Sequence, residues 1–166
     1  MTDSCSSPIL ALDIVRSANS NTFPSAQDID FKEIIQETLQ HTSFIEACEI
    51  TLTLTDDLAV QALNKAHRGK DKPTNVLSFP AYDPNDPHVP GEVIHLGDIV
   101  LAYETITHEA MEQNKSFEDH LTHLIVHGSL HLLGYDHEDD TEAQVMEALE
   151  IKILSTLGIK NPYEIL

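Results

Sequence analysis

A chain of 166 residues with 41% hydrophobic content has enough apolar material for one ordinary core, so residues 1 to 166 are expected to form a single domain. The 28 acidic residues against 9 basic ones give a formal charge of −19, which excludes a surface coated with phosphate-binding cations. Contact with nucleic acid then requires that the few cations be gathered in one place.

Residues 1 to 8 are small and polar and are expected to be flexible, and Ile9 to Val15 follow as a short buried strand. Beyond a polar stretch, Ser25 is placed to cap a helix with Asp28 as its capping-box partner. Phe31, Ile34, Ile35, Thr38 and Leu39 recur on one face of that helix. Ile50, Leu52 and Leu54 alternate with Glu49, Thr51 and Thr53, the period of a strand with one wet face. Asp56 or Asp57 then caps a second helix, with Leu58, Ala62, Leu63 and Ala66 as its apolar stripe and Gly69 as its stop. Asn75 to Phe79 reads as a strand, Pro80 to Pro90 as a turn-rich loop, and Val93 to Leu101 as one or two further strands.

The rest of the chain is helical. Helices are expected at about Tyr103 to Gln113, at Ser116 to Leu133 with Ser116 and Asp119 as a capping box, and at Thr141 to Leu157 with Thr141 and Gln144 in the same roles. Glu142, Glu147 and Glu150 on the last helix read as a solvated face. The pattern predicts an α+β fold: a single small mixed β-sheet covered by helices, with a helical C-terminal third carrying a metal site. It leaves the strand order open. Cys5 and Cys48 fit neither a disulfide framework nor a cysteine metal site, and no basic leader or long apolar run stands in the sequence, so a cytoplasmic protein without a membrane partner is expected.

Chemistry concentrates between His127 and His137. His127 and His131 are four apart on a helix, so their rings share a face one turn apart and reach one ion. Gly134 permits the turn that swings His137 back toward them. Three neutral imidazoles leave a fourth position for water, the arrangement of a catalytic zinc site. Zinc is favoured by availability and redox silence, although imidazole suits Ni, Cu and Fe as well. His123 and His127 form a rival pair at the same spacing, but that pair lacks a third ligand. His120 and His123 read as helix-surface residues or as groups that receive the ligands' remaining ring N–H, and Asp136 as another such group or as an exposed acid in the turn.

The spacing matches the metalloprotease signature H-E-x-x-H-x-x-G-x-x-H in register, except that Gly128 stands where the general-base Glu belongs. A zinc peptidase would therefore need another base. Four of the 9 basic residues, Lys65, Arg68, Lys70 and Lys72, cluster beside His67. Arg68 can grip a phosphate bidentately and stabilise charge in catalysis, while the three lysines hold flanking phosphates, so metal and cations together suit phosphodiester cleavage.

At HGSLHLLGYDH (127 to 137), RGKDKPTNVLSFP (68 to 80) and LGDI (96 to 99), the sequence resembles the YbeY family of bacterial single-strand-specific endoribonucleases. The resemblance implies a zinc-like metal on His127, His131 and His137 and a functional arginine at Arg68. It also implies a role in ribosomal RNA maturation and ribosome quality control, with ribosomal RNA and the ribosome or its proteins as partners. Many relatives carry Asp where this chain has Asn75, and an amide there orients neighbours by hydrogen bonding rather than acting as a base. The attacking group, a metal-bound water or the RNA 2′-OH, stays open, as does the alternative of a non-catalytic assembly factor with a structural zinc.

Overall fold

The computed structural model describes residues 8–17, 23 and 28–164. Residues 1 to 7 of the expected flexible lead-in and the expected cap Ser25 lie outside the described residues, and Pro8 is buried. The elements run β1 (Leu10–Arg16), α1 (Phe31–Gln40), β2 (Cys48–Thr55), α2 (Asp57–Arg68), β3 (Val76–Pro80), β4 (Ile94–Ala102), α3 (Tyr103–Glu112), α4 (Phe117–Leu132) and α5 (Asp140–Thr156). One mixed sheet has the order β1-β2-β4-β3, with β1, β2 and β4 parallel and β3 antiparallel at the edge. The stretch expected to hold one or two strands is the single strand β4.

The main core lies between one sheet face and the helices, joining Leu52, Leu54, Ile99 and Leu101 to Ile35 and Leu39 of α1 and to Leu121, Ile125 and Leu130 of α4. Burying each such side chain stabilises the fold by roughly 1.5–3 kcal/mol. A smaller cluster on the other face sets Val60 of α2 against Leu77, Val100 and Ala102. Of the expected stripe on α2 only Leu63 packs against this cluster, and the rest of the buried face differs. Val60 and Asn64 are buried, whereas Leu58 is 77% exposed and Ala62 and Ala66 face solvent. The two stripes are two residues, about 200°, apart on the helix.

Caps follow local chemistry with two corrections. Ser116 accepts from Asp119 N and Asp56 from Ala59 N, as expected, and Gly69 ends α2 at φ 69°. The cap of α1 is Asp30, accepting from Glu33 N, and that of α5 is Asp139, not Thr141, accepting from Glu142 N. Each satisfies an otherwise orphaned amide of the first turn. Cys48 is a buried free thiol in β2, and burial pushes its pKa up to about 11. None of the described helices is long and apolar enough to cross a membrane.

Gly97 locks β3, β4 and α4 together. It has φ +137°, and a Cβ there would lie 2.2 Å from the Phe79 carbonyl oxygen and 3.0 Å from Leu132 Cδ2. Only a residue without a side chain lets the edge strand approach this closely. The edge strand and the end of α4 face each other as the two walls of the cleft described next.

Candidate metal centre

Helix α4 carries His127 and His131 on one face, and its end supplies the third ring. Gly134 N donates to His131 O and Tyr135 N to Leu130 O, a Schellman turn closed by Gly134 at φ +97°. The turn brings His137 round, so one ring nitrogen from each of His127, His131 and His137 lies within 4.8 Å of the others. His131 Nε2 is 3.0 Å from His127 Nε2. A tetrahedral ion with bonds of about 2.0–2.1 Å needs nitrogens about 3.3 Å apart, so the donor set fits zinc with small ring movements. Burial lowers the pKa of His131, and the His127 and His137 rings push the same way, against the Tyr135 main chain and Asp136. A neutral imidazole is the form that binds metal.

Behind the cluster sits a residue that sequence reasoning assigned to solvent. Glu150 is 0% exposed. Its Oε1 takes a short hydrogen bond from His127 Nδ1, and its Oε2 accepts from Tyr163 Oη and from His123 Nε2, the latter at 3.2 Å. Burial drives the Glu150 carboxyl upward, but the hydrogen bonds from His123, His127 and Tyr163 outweigh it and hold the pKa at about 2. Burial raises the Tyr163 phenol, and its bond to Glu150 raises it further, so it stays a donor. With the proton of His127 on Nδ1, its Nε2 lone pair faces the cluster, the support a carboxylate gives a metal-binding imidazole.

This arrangement decides the other histidines. The His123 ring is engaged by Glu150 and meets the His127 ring edge to face at 6.4 Å, but it is not among the three grouped rings, so the rival His123/His127 pair does not form. His120 is buried against Glu109, 3.3 Å away, and does not receive a ligand N–H. Asp136 accepts from the His137 main-chain N at 2.8 Å, shaping the turn rather than bonding a ring. The sequence did hold a signal for Glu150. Met146, Ile153 and Leu154 are the buried residues of α5, and position 150 falls in their stripe. A carboxylate inside an apolar stripe requires a partner.

The cluster opens into a cleft of about 700 Å³, with the edge strand β3 along one wall and the turn from Gly134 to His137 along the other. Arg68 and His67 line it from the end of α2. Lys65, Lys70 and Lys72 do not: all are exposed, and Lys65 lies 3.9 Å from Asp71. The expected basic stretch thus contributes one guanidinium to the cleft, while its other charges sit outside. Lys65, His67 and Arg68 also oppose the negative end of the α2 dipole.

Gly128 explains the missing carboxylate of the protease signature. A Cβ there would lie 3.1 Å from both Ile99 Cγ2 and Ser78 Oγ, and Ser78 Oγ donates to Gly128 O at 3.2 Å. The position faces the sheet at close range, so a Glu side chain has neither room nor a line to the cluster. Asn75 also differs from a base: its Nδ2 donates to Glu109 at 2.8 Å.

Three imidazoles open to a cleft, with no fourth protein ligand grouped with them among the described residues, match the class of catalytic rather than closed structural metal sites. Comparison with known proteins narrows the class. The family model described as Endoribonuclease YbeY matches residues 15–158. The Endoribonuclease YbeY of Bradyrhizobium sp. strain BTAi1 is 46% identical over 159 residues, covering 95% of this chain and 94% of the relative. That of Rhizobium etli is 58% identical over 116 residues, covering 70% of this chain and 67% of the relative. The solution structure of a Thermotoga maritima protein matches with a TM-score of 0.53 at 21% identity, covering 89% of this chain and 92% of that one, a likeness of fold. The chain belongs to the endoribonuclease YbeY family.

Proposed function

We propose that residues 1 to 166 act as one domain, a metal-dependent endoribonuclease that cuts single-stranded segments of ribosomal RNA during ribosome maturation in the cytoplasm, with zinc as the ion. The observation that carries this reading is that His127, His131, His137 and Arg68 line one cleft. The activity in the relatives' names agrees with it. Zinc, when bound, supplies a Lewis acid that polarises a phosphoryl oxygen. The Arg68 guanidinium binds a non-bridging oxygen and offsets the charge that builds as phosphorus is attacked. Glu150 fixes the His127 ring so that Nε2 faces the cluster. Gly128 keeps α4 tight on β3, which argues against peptide hydrolysis by a base at that position.

The test is cleavage of a partly single-stranded ribosomal RNA fragment by wild type, Arg68→Ala and His131→Ala, with metal content measured in parallel. Arg68→Ala is expected to keep its metal and lose about 10²–10³ in kcat, the usual effect of removing one charge-stabilising donor. His131→Ala is expected to lose both metal and cleavage. Equal cleavage by all three proteins would overturn the reading and favour a ribosome-assembly factor. A cyclic phosphate end would identify the 2′-OH as nucleophile, and a linear end water.

A further inference from the structure

The loop from Pro80 to Pro90 carries no part of the chemistry above, yet it closes a second pocket against the turn of the metal cluster. This pocket, of about 330 Å³, is lined by Phe44, Tyr82, Tyr135 and Leu133 and by the hydroxyl residues Thr42 and Ser43. The Phe44 and Tyr82 rings meet edge to face, 5.7 Å apart at 83°. The chain has no tryptophan and only 4 tyrosines, and two of those tyrosines line this one pocket. Gly134 and Tyr135 line both the pocket and the metal cleft, so a ligand in one is next to a ligand in the other.

We propose that this pocket receives one unpaired nucleobase of the RNA whose phosphate occupies the metal cleft, an inference that rests on the endoribonuclease reading. The division of charge supports it. No lysine or arginine lines the pocket, and its one charged lining residue, Glu46, disfavours a phosphate there and can accept from a base N–H, while Arg68 stands in the cleft where the phosphate belongs. The volume is at the small end of the roughly 300–1,000 Å³ typical of ligand sites, enough for a single heterocycle. A flat π-face against aromatic rings gains stacking, and the polar rim can meet base edges. A base enters only when unstacked and unpaired, so the pocket would select single strands by shape.

The experiment uses the full chain with two oligoribonucleotides, one intact and one with abasic residues flanking the scissile bond. In parallel, an oligoribonucleotide carrying 2-aminopurine reports stacking by fluorescence, with the protein freed of metal so that nothing is cut. Wild type is expected to cut the abasic RNA at least tenfold less efficiently in kcat/KM, within the range that stacking losses produce. Tyr82→Ala should show the same loss on intact RNA, no further loss on abasic RNA, and weaker 2-aminopurine quenching, with Tyr82→Phe recovering most of it. The abasic arm uses wild-type protein, so a folding defect in Tyr82→Ala cannot decide the result. Equal cutting of both RNAs by wild type would overturn the pocket while leaving the nuclease reading intact. Failure to cut either RNA, with Tyr82-dependent quenching preserved, would overturn the nuclease reading and leave the pocket standing.

Discussion

Replacing Glu150 by Gln separates its support of the metal ligands from its part in the fold. The carboxylate receives three donors, from His127, His123 and Tyr163, in a site with no solvent access. A glutamine offers one oxygen and one NH2. With its oxygen on His127, the NH2 faces His123 and Tyr163, which can accept only if the ring takes its other tautomer and the hydroxyl turns, each giving up its donor bond. A buried donor left without an acceptor costs about 1–3 kcal/mol. For a chain of this size each kcal/mol moves the melting temperature by about 2–4 °C, so the metal-free variant should melt roughly 2–12 °C lower. Loss of the carboxylate partner of His127 should also weaken zinc about 10–100-fold. That corresponds to about 1.4–2.7 kcal/mol less stabilisation by zinc at a fixed free concentration. Calorimetry of metal-free and zinc-loaded protein, with a chelator-competition titration for affinity, reads both quantities. A variant that melts lower but binds zinc as tightly as wild type would refute the claim that Glu150 orients His127 and leave it as a packing residue only.

The same carboxylate sets an acid limit. Its pKa is about 2 in the fold against an ordinary 4.5, so it contributes stability that is present above the ordinary value and lost as pH falls toward 2. Urea unfolding between pH 7 and 3 should show wild type losing stability more steeply than Glu150→Gln, and equal slopes would count against the assignment. Gly128→Ala should destabilise by up to about 2 kcal/mol, because a contact of 3.1 Å with Ile99 and Ser78 outweighs the gain in helix propensity. Gly128→Glu should cost more and yield no peptidase activity; casein turnover by that variant would refute the steric argument. Gly97→Ala should cost about 3 kcal/mol or more, since the Cβ meets the Phe79 carbonyl at 2.2 Å and the backbone is strained, and a denaturation midpoint near wild type would show that β3 can retreat.

What could be read from the sequence was local in origin. The grouping of His127, His131 and His137, the Ser116 and Asp56 caps and the Gly69 and Gly134 stops each depend on residues within about three helical turns, so spacing alone exposes them. The caps at Asp30 and Asp139 escaped because several Ser, Thr and Asp residues compete near each helix start, and only the chain path selects among them. The face of α2 was assigned correctly only at Leu63, because the alanines and the exposed Leu58 mimic an apolar stripe, whereas the sheet contacts Val60. Glu150 lies 23 residues from His127, and its partnership depends on how α5 crosses α4, which no local pattern encodes. The lysines failed to reach the cleft for a related reason: closeness in sequence to Arg68 does not fix the direction of a loop.

Helix α4 presents histidines at 120, 123, 127 and 131, yet only the last two join His137 in the three-histidine group, and the flanking helices supply the reason. Glu109 of α3 engages His120, and Glu150 of α5 engages His123 while also holding His127. Along one stripe the partner changes from acid alone, to acid and cluster, to cluster alone. Asn75 belongs to the same logic. Its Nδ2 donates to both oxygens of Glu109, at 2.8 and 3.2 Å, and its Oδ1 accepts from Val76 N at the start of the strand that walls the cleft. An Asp in its place would set two carboxylates at that separation, which requires a proton shared between them. The amide instead ties β3 to α3 without a charge conflict. In this chain position 75 therefore orients the cleft wall, and the carboxylate that holds a ring of the three-histidine group is the buried one at 150.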